Sequence, residues 1–213
     1  MKLALSVPWN HEDVPWHFLA TLWGSDIPKN EDVVICRGTS HDITHARNMT
    51  IGKALEWGAD EILLLDVDQH IPKDVLKRLR ANNKEIVGCL TPMRSPPHRW
   101  SLFNAIPGAD LHVTCDPYMP LQEVGATGIG CMLVRRDVFV AIGKPWFKRT
   151  FAEDGLTISK SDDVWFCEQA RKAGYKVYVD TTLESGHEHT VTLNAEYLKR
   201  PVKYLEVFEN VRA

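Results

Sequence analysis

Two carboxylates, Asp66 and Asp68, end the run Glu61-Ile62-Leu63-Leu64-Leu65-Asp66-Val67-Asp68-Gln69-His70-Ile71. Four consecutive apolar residues, Ile62 to Leu65, fit an interior strand of a sheet covered on both faces. The two acids then lie just past its carboxyl end, where ligands bind in open α/β sheets. If the segment stays extended, alternate residues point the same way, and both carboxylates face one ligand. Oxygen donors of this kind suit Mg²⁺ or Mn²⁺, and either ion can hold a diphosphate. An Asp-x-Asp pair is also short and common, and a strand end is an ordinary place for solvated acids.

Three further groups of residues could act with this pair. In Ser161-Asp162-Asp163-Val164-Trp165-Phe166-Cys167 two acids open a helix, near the positive end of its dipole. One of them, or Ser161, also serves as an ordinary N-cap. In Ser185-Gly186-His187-Glu188-His189 two imidazoles lie two residues apart. In an extended segment they project to one side, and imidazole is a good Mn²⁺ or Zn²⁺ ligand. The alternative is a pair of surface or backbone-bonded histidines. In the run from Glu123 to Cys131 the glycines Gly125, Gly128 and Gly130 let a ligand or another segment approach the backbone. This run leads into a strand rather than a helix and lacks a Lys-Ser/Thr ending, so it is neither a P-loop nor a dinucleotide fingerprint.

The elements that must position these groups alternate between strand and helix patterns. Lys2–Val7 reads as a strand. Asp13 caps a helix with Pro15 in its first turn, running towards Gly24. Asp32–Cys36 is the second strand. Asp42 caps a longer helix that ends near Gly58, with Ile51, Ala54 and Leu55 at helical spacing. The Ile62–Leu65 strand follows. Pro72 and Asp74 start a helix whose apolar face is Val75, Leu76 and Leu79, and Glu85–Leu90 is the fourth strand. This order argues for an α/β domain with a mainly parallel sheet. Beyond it, the prolines at 92, 96 and 97 mark a loop or poorly paired edge. Short strands fit Trp100–Phe103, Leu111–Thr114 and Leu121–Val124. Cys131–Val134 reads as a strand, Arg136–Ile142 and Ser161–Ala173 as helices, and Lys176–Val179 as a last strand. Residues 191–213 read as a helical tail on a single domain spanning 1–213.

The composition narrows the field. The 213 residues are enough for one domain with a sizeable core. A hydrophobic share of 44% with 25% charged residues is that of a soluble globular protein. The net charge of −3 supplies no global basic field for nucleic acid. No segment approaches the ~20 apolar residues of a membrane span, and the N-terminal apolar run is too short for a signal peptide. The five scattered cysteines contain no Cys-x-x-Cys pair, which fits buried thiols in a reducing cytoplasm.

The motifs, in their order, resemble the GT-A fold glycosyltransferases, particularly the broad family-2-like group. The pieces that carry the resemblance are Ala46-Arg47-Asn48; Leu64-Leu65-Asp66-Val67-Asp68, similar to that family's Asp-x-Asp (DXD) element; Gly128 to Phe139, similar to its acceptor-side strand and helix; Asp162 to Cys167 followed by Ala173-Gly174-Tyr175; and His187. The resemblance runs from about Lys2 to His189. It implies a Rossmann-like three-layer sandwich and a Mn²⁺- or Mg²⁺-dependent transfer from a nucleotide sugar, a UDP-sugar above all, to a hydroxyl acceptor. It implies Asp68 as direct metal ligand, Asp66 on ribose or on the metal through water, and His187 (or its neighbour His189) as a further ligand. Pro8, Trp9 and Asn10 would line the nucleotide pocket with Arg47, beside Gly128. Asp163 would be the general base in an inverting reaction, with Asp162 where the family more usually has Glu, so either acid can be the one facing the acceptor.

Two other readings stay open. DNA can be the acceptor, as in phage-type enzymes that glucosylate hydroxymethylated pyrimidines, with Arg94, His98, Arg99, Lys144, Lys148 and Arg149 as a phosphate-binding rim. An ordinary solvated surface explains the same charges. Nucleotidyl transfer also uses paired Asp residues on an α/β sheet, but residues 6–12 lack the glycine and basic side chains such enzymes carry there.

Overall fold

The computed structural model describes residues 1–9, 11–30, 32–94, 98–104 and 119–190. Asn10, the Leu111–Thr114 strand and the 191–213 tail lie outside the described residues. In chain order the elements are β1 (Leu3–Pro8), α1 (Trp16–Gly24), β2 (Val33–Gly38), α2 (Ile43–Trp57), β3 (Glu61–Leu65), β4 (Gln69–His70), α3 (Val75–Ala81), β5 (Ile86–Leu90) and β6 (Leu102–Phe103). There follow β7 (Leu121–Val124), β8 (Ala126–Thr127), β9 (Cys131–Arg135), α4 (Arg136–Ile142), β10 (Thr150–Phe151), β11 (Ile158–Lys160), α5 (Asp162–Lys172), β12 (Val177–Glu184) and β13 (Gly186–His187).

Seven strands form the central sheet in the order β2-β1-β3-β9-β5-β12-β7. The strands β2, β1, β3, β5 and β12 share one direction. The strand β9 runs against both its neighbours β3 and β5, and β7 runs against β12. The sheet is therefore mainly parallel, as the βα alternation predicts, with one reversed strand in its middle. Because β9 is reversed, its beginning lies at the same end of the sheet as the carboxyl ends of β3 and β5.

The strand side chains alternate between two apolar cores, one on each face. Ala4, Ile62, Leu64, Ile86, Met132 and Val134 pack with α2, α4 and α5 through Ile51, Phe139 and Phe166. Leu3, Leu5, Leu63, Leu65, Val87 and Leu133 pack with α1 and α3 through Phe18, Val75 and Leu79. The result is the three-layer, Rossmann-like sandwich expected of strands buried on both faces. Among the described residues no helix is long and apolar enough to cross a membrane.

The helix ends explain how two of the site elements are fixed. Asp42 caps α2 by accepting a hydrogen bond from the His45 N–H at 2.7 Å, and Gly58 ends the helix with φ of 82°. Asp13 does not cap α1. Pro15 occupies that position, and no side chain bonds to the first turn. Ser161 stands at the N-cap of α5, but its hydroxyl turns to the Asp163 carboxylate instead of the backbone.

Candidate active site

A cleft of about 340 Å³ opens where β3 and β5 end and β9 begins. Its walls include Arg47 from α2, Asp66 and Gln69 after β3, Thr91 to Arg94 after β5, Gly128 to Gly130 before β9, Ser161 and Asp163 at the start of α5, and His187 from β13. Ser101 and Phe103 complete it. Of the groups singled out by sequence, Arg47, Asp66, Gly128, Asp163 and His187 thus meet from segments far apart in the chain, at the sheet end where α/β folds bind ligands.

The Asp66–Asp68 segment is a turn rather than the extended stretch expected. The Gln69 N–H donates to the Asp66 carbonyl at 3.1 Å, which closes the chain on itself. The Asp66 N–H still donates to the Gly130 carbonyl at 2.9 Å, extending the β3–β9 ladder by one bond. Strands β4 and β13 then pair as a short ribbon, Gly186 opposite His70 and His187 opposite Gln69. The ribbon is locked by the Glu188 N–H to Asp68 carbonyl bond at 2.8 Å and by the Ser185 hydroxyl donating to Gln69 Oε1 at 2.9 Å. It is this tertiary pairing, and not strand alternation, that sets Asp68 beside His187.

The two aspartates have different partners. Asp66 Oδ2 accepts from Arg47 at 2.6 Å, and the same guanidinium donates to Asp162 Oδ2 at 2.6 Å. Burial alone would push the Arg47 pKa down, but the carboxylates of Asp66 and Asp162 outweigh it and hold the charge. Burial pushes the Asp66 carboxyl above the usual range, and Arg47 only partly offsets it. Asp68 Oδ2 lies 3.3 Å from His187 Nε2 and 2.9 Å from Arg94 Nη1. Burial raises its pKa, yet the hydrogen bond from His187, with the charges of His187 and Arg94, leaves it below the usual range. The same bond to Asp68 lifts the His187 pKa against the cost of burial.

Two details bear on a metal. The His187 Nδ1 lies 2.8 Å from the Pro92 carbonyl and must carry a proton to donate to it. With Nδ1 so protonated, Nε2 carries a second proton when it donates to Asp68; in the neutral ring it would instead present a lone pair that a cation could take. An outer-shell bond of this kind commonly orients a metal-binding imidazole. Asp68 Oδ1 is buried and has no hydrogen-bond partner among the described residues, so one carboxylate oxygen is left to ligate. Asp68 and His187 therefore fit a divalent ion that displaces Arg94. Asp66 does not converge with them on one point, because Arg47 takes its oxygen. His189 lies elsewhere, edge-on to His98 with ring centroids 5.4 Å apart.

At the far wall the acid pair divides. Asp162 is 4% exposed and held by Arg47, with Arg149 at 3.9 Å. Asp163 lines the cleft. Its Oδ1 accepts from the Ser161 hydroxyl and from the Val164 N–H at 2.8 Å. Its Oδ2 has no hydrogen bond among the described residues. Phe166 turns into the core against Phe139 and Phe147 and does not screen Asp163 from water. Gly128 lines the cleft as expected, its N–H donating to Ser101 Oγ at 2.9 Å.

Pro8 and Trp9 do not line this cleft. Trp9 is buried, bonded through its ring N–H to the His11 carbonyl, and borders a separate apolar hollow with Val14, Phe18 and Ile35. Several of the cations proposed as a phosphate rim have partners: Arg94 on Asp68, Arg149 near Asp162, Lys144 over Trp146 and Lys148 over Trp165. In the sequence Arg94 stands only as part of a phosphate-binding rim, and nothing there singles out Ser101 or Gln69; Arg94 lies in the loop after β5 (Ile86–Leu90), at the same sheet end as Asp66.

Comparison with known proteins adds two observations. The chain is 26% identical over 161 residues to the dTDP-rhamnosyl transferase RfbF of Shigella flexneri. The match takes in 72% of this chain and 51% of that protein, so the chain spans about half the length of the relative. In structure it is similar to A197 from STIV, with a TM-score of 0.63 at 17% identity, over 88% of this chain and 86% of the other. That likeness concerns the fold alone. No family model matches the chain.

Proposed function

We propose that the chain is a glycosyltransferase of the GT-A type, moving a sugar from a pyrimidine nucleoside diphosphate to a hydroxyl acceptor with the help of Mn²⁺ or Mg²⁺. The observation that carries the reading is the convergence on one cleft of Arg47, Asp66, His187 and Asp163, with the unpartnered Asp68 Oδ1 beside them. The similarity to a dTDP-rhamnosyl transferase supports glycosyl transfer as the reaction class. It widens the donor from UDP-sugars to UDP- or dTDP-sugars.

Asp68 and His187 would hold the ion, with Asp66 bearing on the ribose or on the ion through water. The ion supplies Lewis-acid stabilisation of the departing diphosphate. Arg47 neutralises Asp66 and Asp162 and so keeps the net negative charge beside an anionic donor low. The Pro92 carbonyl keeps one proton of His187 on Nδ1, so Nε2, which bonds Asp68 in the absence of metal, is the nitrogen that would take the ion. Asp163, which lines the cleft and has only Oδ1 engaged, would accept the acceptor hydroxyl proton as the new bond forms. Ser161 and the Val164 N–H fix its orientation. DNA as acceptor gains no support from the cations already paired with acids and rings, and nucleotidyl transfer gains none from the loop after β1.

The test is thermal unfolding with UDP, dTDP and their sugars, each with and without Mn²⁺. Stabilisation that needs both nucleotide and metal is expected, worth about 2.7 kcal/mol at a hundredfold excess over Kd. Asp68→Ala should remove it, while Asp163→Asn should keep it and lose most sugar transfer. No stabilisation by any nucleoside diphosphate, or stabilisation untouched by Asp68→Ala, overturns the reading.

A further inference from the structure

Behind the Asp68–His187 pair the β4–β13 ribbon carries a second group of ligating side chains that the proposed reaction does not use. His70 of β4 and Glu188, the residue after β13, turn to the opposite side and meet His17 of α1. His70 Nε2 lies 2.5 Å from Glu188 Oε1, and His17 Nδ1 lies 3.7 Å from the same oxygen. The two imidazoles stack with centroids 4.9 Å apart and planes at 30°. One ligand atom from each of the three residues falls within 4.8 Å of the others, and this is the set of three or more such groups that converges among the described residues.

Hydrogen bonding does not account for the arrangement. Glu188 serves His70 well, but 3.7 Å is too long for a bond from His17. The other nitrogen of His17, Nε2, is buried with no partner among the described residues. An imidazole brought towards a carboxylate and a second imidazole, without a hydrogen bond of its own, is left unexplained unless something sits between them. A tetrahedral ion with bonds of about 2.0 Å holds its ligand atoms roughly 3.3 Å apart, between the two separations seen. Two imidazoles and a carboxylate favour a zinc-class cation over Mg²⁺ or Ca²⁺, which want oxygen.

We propose that His17, His70 and Glu188 form a second metal site, separate from the cleft, that binds a zinc-class divalent cation and staples α1 to the β4–β13 ribbon. Water completes the coordination on the exposed side, where Glu188 and His70 reach solvent. The staple acts on the site in front of it. Glu188 also donates its N–H to the Asp68 carbonyl, and His70 adjoins Gln69, whose partner in the ribbon is His187. Fixing the back of the ribbon thus fixes the two side chains on its front. The inference rests on these three residues and holds whether or not the cleft transfers sugar.

The experiment uses the full chain, stripped of metal by chelator and titrated with Zn²⁺ or Co²⁺ alone, with no nucleotide. Wild type should bind one tight equivalent, raise its melting temperature, and give the visible Co²⁺ bands of a four-coordinate nitrogen–oxygen site. His17→Asn, His70→Asn and Glu188→Gln should each weaken binding at least about tenfold and abolish the Co²⁺ bands, while Asp68→Ala retains both. Using three variants on three elements guards against one failing to fold. Zinc should also shift the imidazole proton resonances of His17 and His70 in the wild type, a readout that needs no variant. Absence of a tight equivalent, binding unchanged in the three variants, or binding lost in Asp68→Ala overturns the proposal.

Discussion

Arg47 is the residue on which the candidate site turns, because it pairs with two acids in a poorly solvated place. Its side chain is 12% exposed and that of Asp162 5%. Removing one partner of such a group leaves an uncompensated buried charge, which costs about 3–5 kcal/mol. Arg47→Met is therefore expected to lower stability by that amount in urea unfolding, and adding Asp162→Asn should restore part of it. A loss under about 1 kcal/mol would mean that water screens the cluster as it does a surface pair. The Asp68–His187 pair makes a different demand, on pH. The folded imidazole titrates above its ordinary 6.5, so its contribution is fully present below 6.5 and disappears as pH rises through the folded value. Asp68 titrates below its ordinary 3.8, so its contribution is present above 3.8 and disappears only on stronger acidification. In metal-free protein the stability gap between wild type and His187→Gln should be widest between those two values and close as pH rises through the folded imidazole's value. Denaturant unfolding across that range, with chelator present, checks it, and a gap independent of pH refutes it.

At the scale of elements, two glycines decide how tightly the parts of the site fit. A Cβ on Gly38 at the end of β2 would stand 2.3 Å from the Ala46 carbonyl oxygen, a backbone atom that moves only with α2. A Cβ on Gly130 would meet the softer Gln69 Nε2 at 3.0 Å and Asp66 Oδ2 at 3.2 Å. Gly38→Ala should thus cost about 1–3 kcal/mol of overpacking. Gly130→Ala should leave melting nearly unchanged but weaken metal-dependent nucleotide binding by roughly tenfold, as disturbing groups that orient a ligand does. Calorimetry on both variants separates fold from site. The same elements show what the sequence could disclose. The strands β1, β3 and β5 are legible because burial on both faces demands unbroken apolar residues, and the ends of those strands locate Asp66. The reversal of β9 is not legible, since Cys131–Arg135 reads alike in either direction. Nor is the β4–β13 ribbon, whose two-residue strands have no periodicity and exist only through pairing across more than a hundred residues. That is why resemblance names Asp68 and His187 as ligands of one ion, while what brings the two within 3.3 Å, a turn at Asp66 followed by the ribbon, is not legible in the sequence. Trp9 misled for a related reason: it follows a strand at the ligand-binding end, but bonding to His11 and burial carry it to the other face.

Across the whole molecule, the sheet separates two apolar cores and leaves its polar business to one end. There the cleft gathers acids and cations that largely cancel: Arg47 with Asp66 and Asp162, Arg94 with Asp68, Arg149 near Asp162. The net charge is −3. Among the described residues such a site would offer a small anion a few directed contacts but a polyanion no continuous track. Duplex binding gains its strength by releasing counterions in proportion to the phosphates neutralised, and a protein that neutralises few of them shows little dependence on salt. Duplex DNA should therefore bind only weakly to the chain, with no steep loss of affinity between 50 and 200 mM salt, values within the range over which such binding is ordinarily compared. Fluorescence anisotropy with a labelled duplex, repeated with Arg94→Ala, measures this directly. A steep salt dependence that Arg94→Ala reduces would restore nucleic acid as the acceptor, because it would mean that phosphate draws Arg94 away from Asp68 and opens the carboxylate proposed to hold the metal.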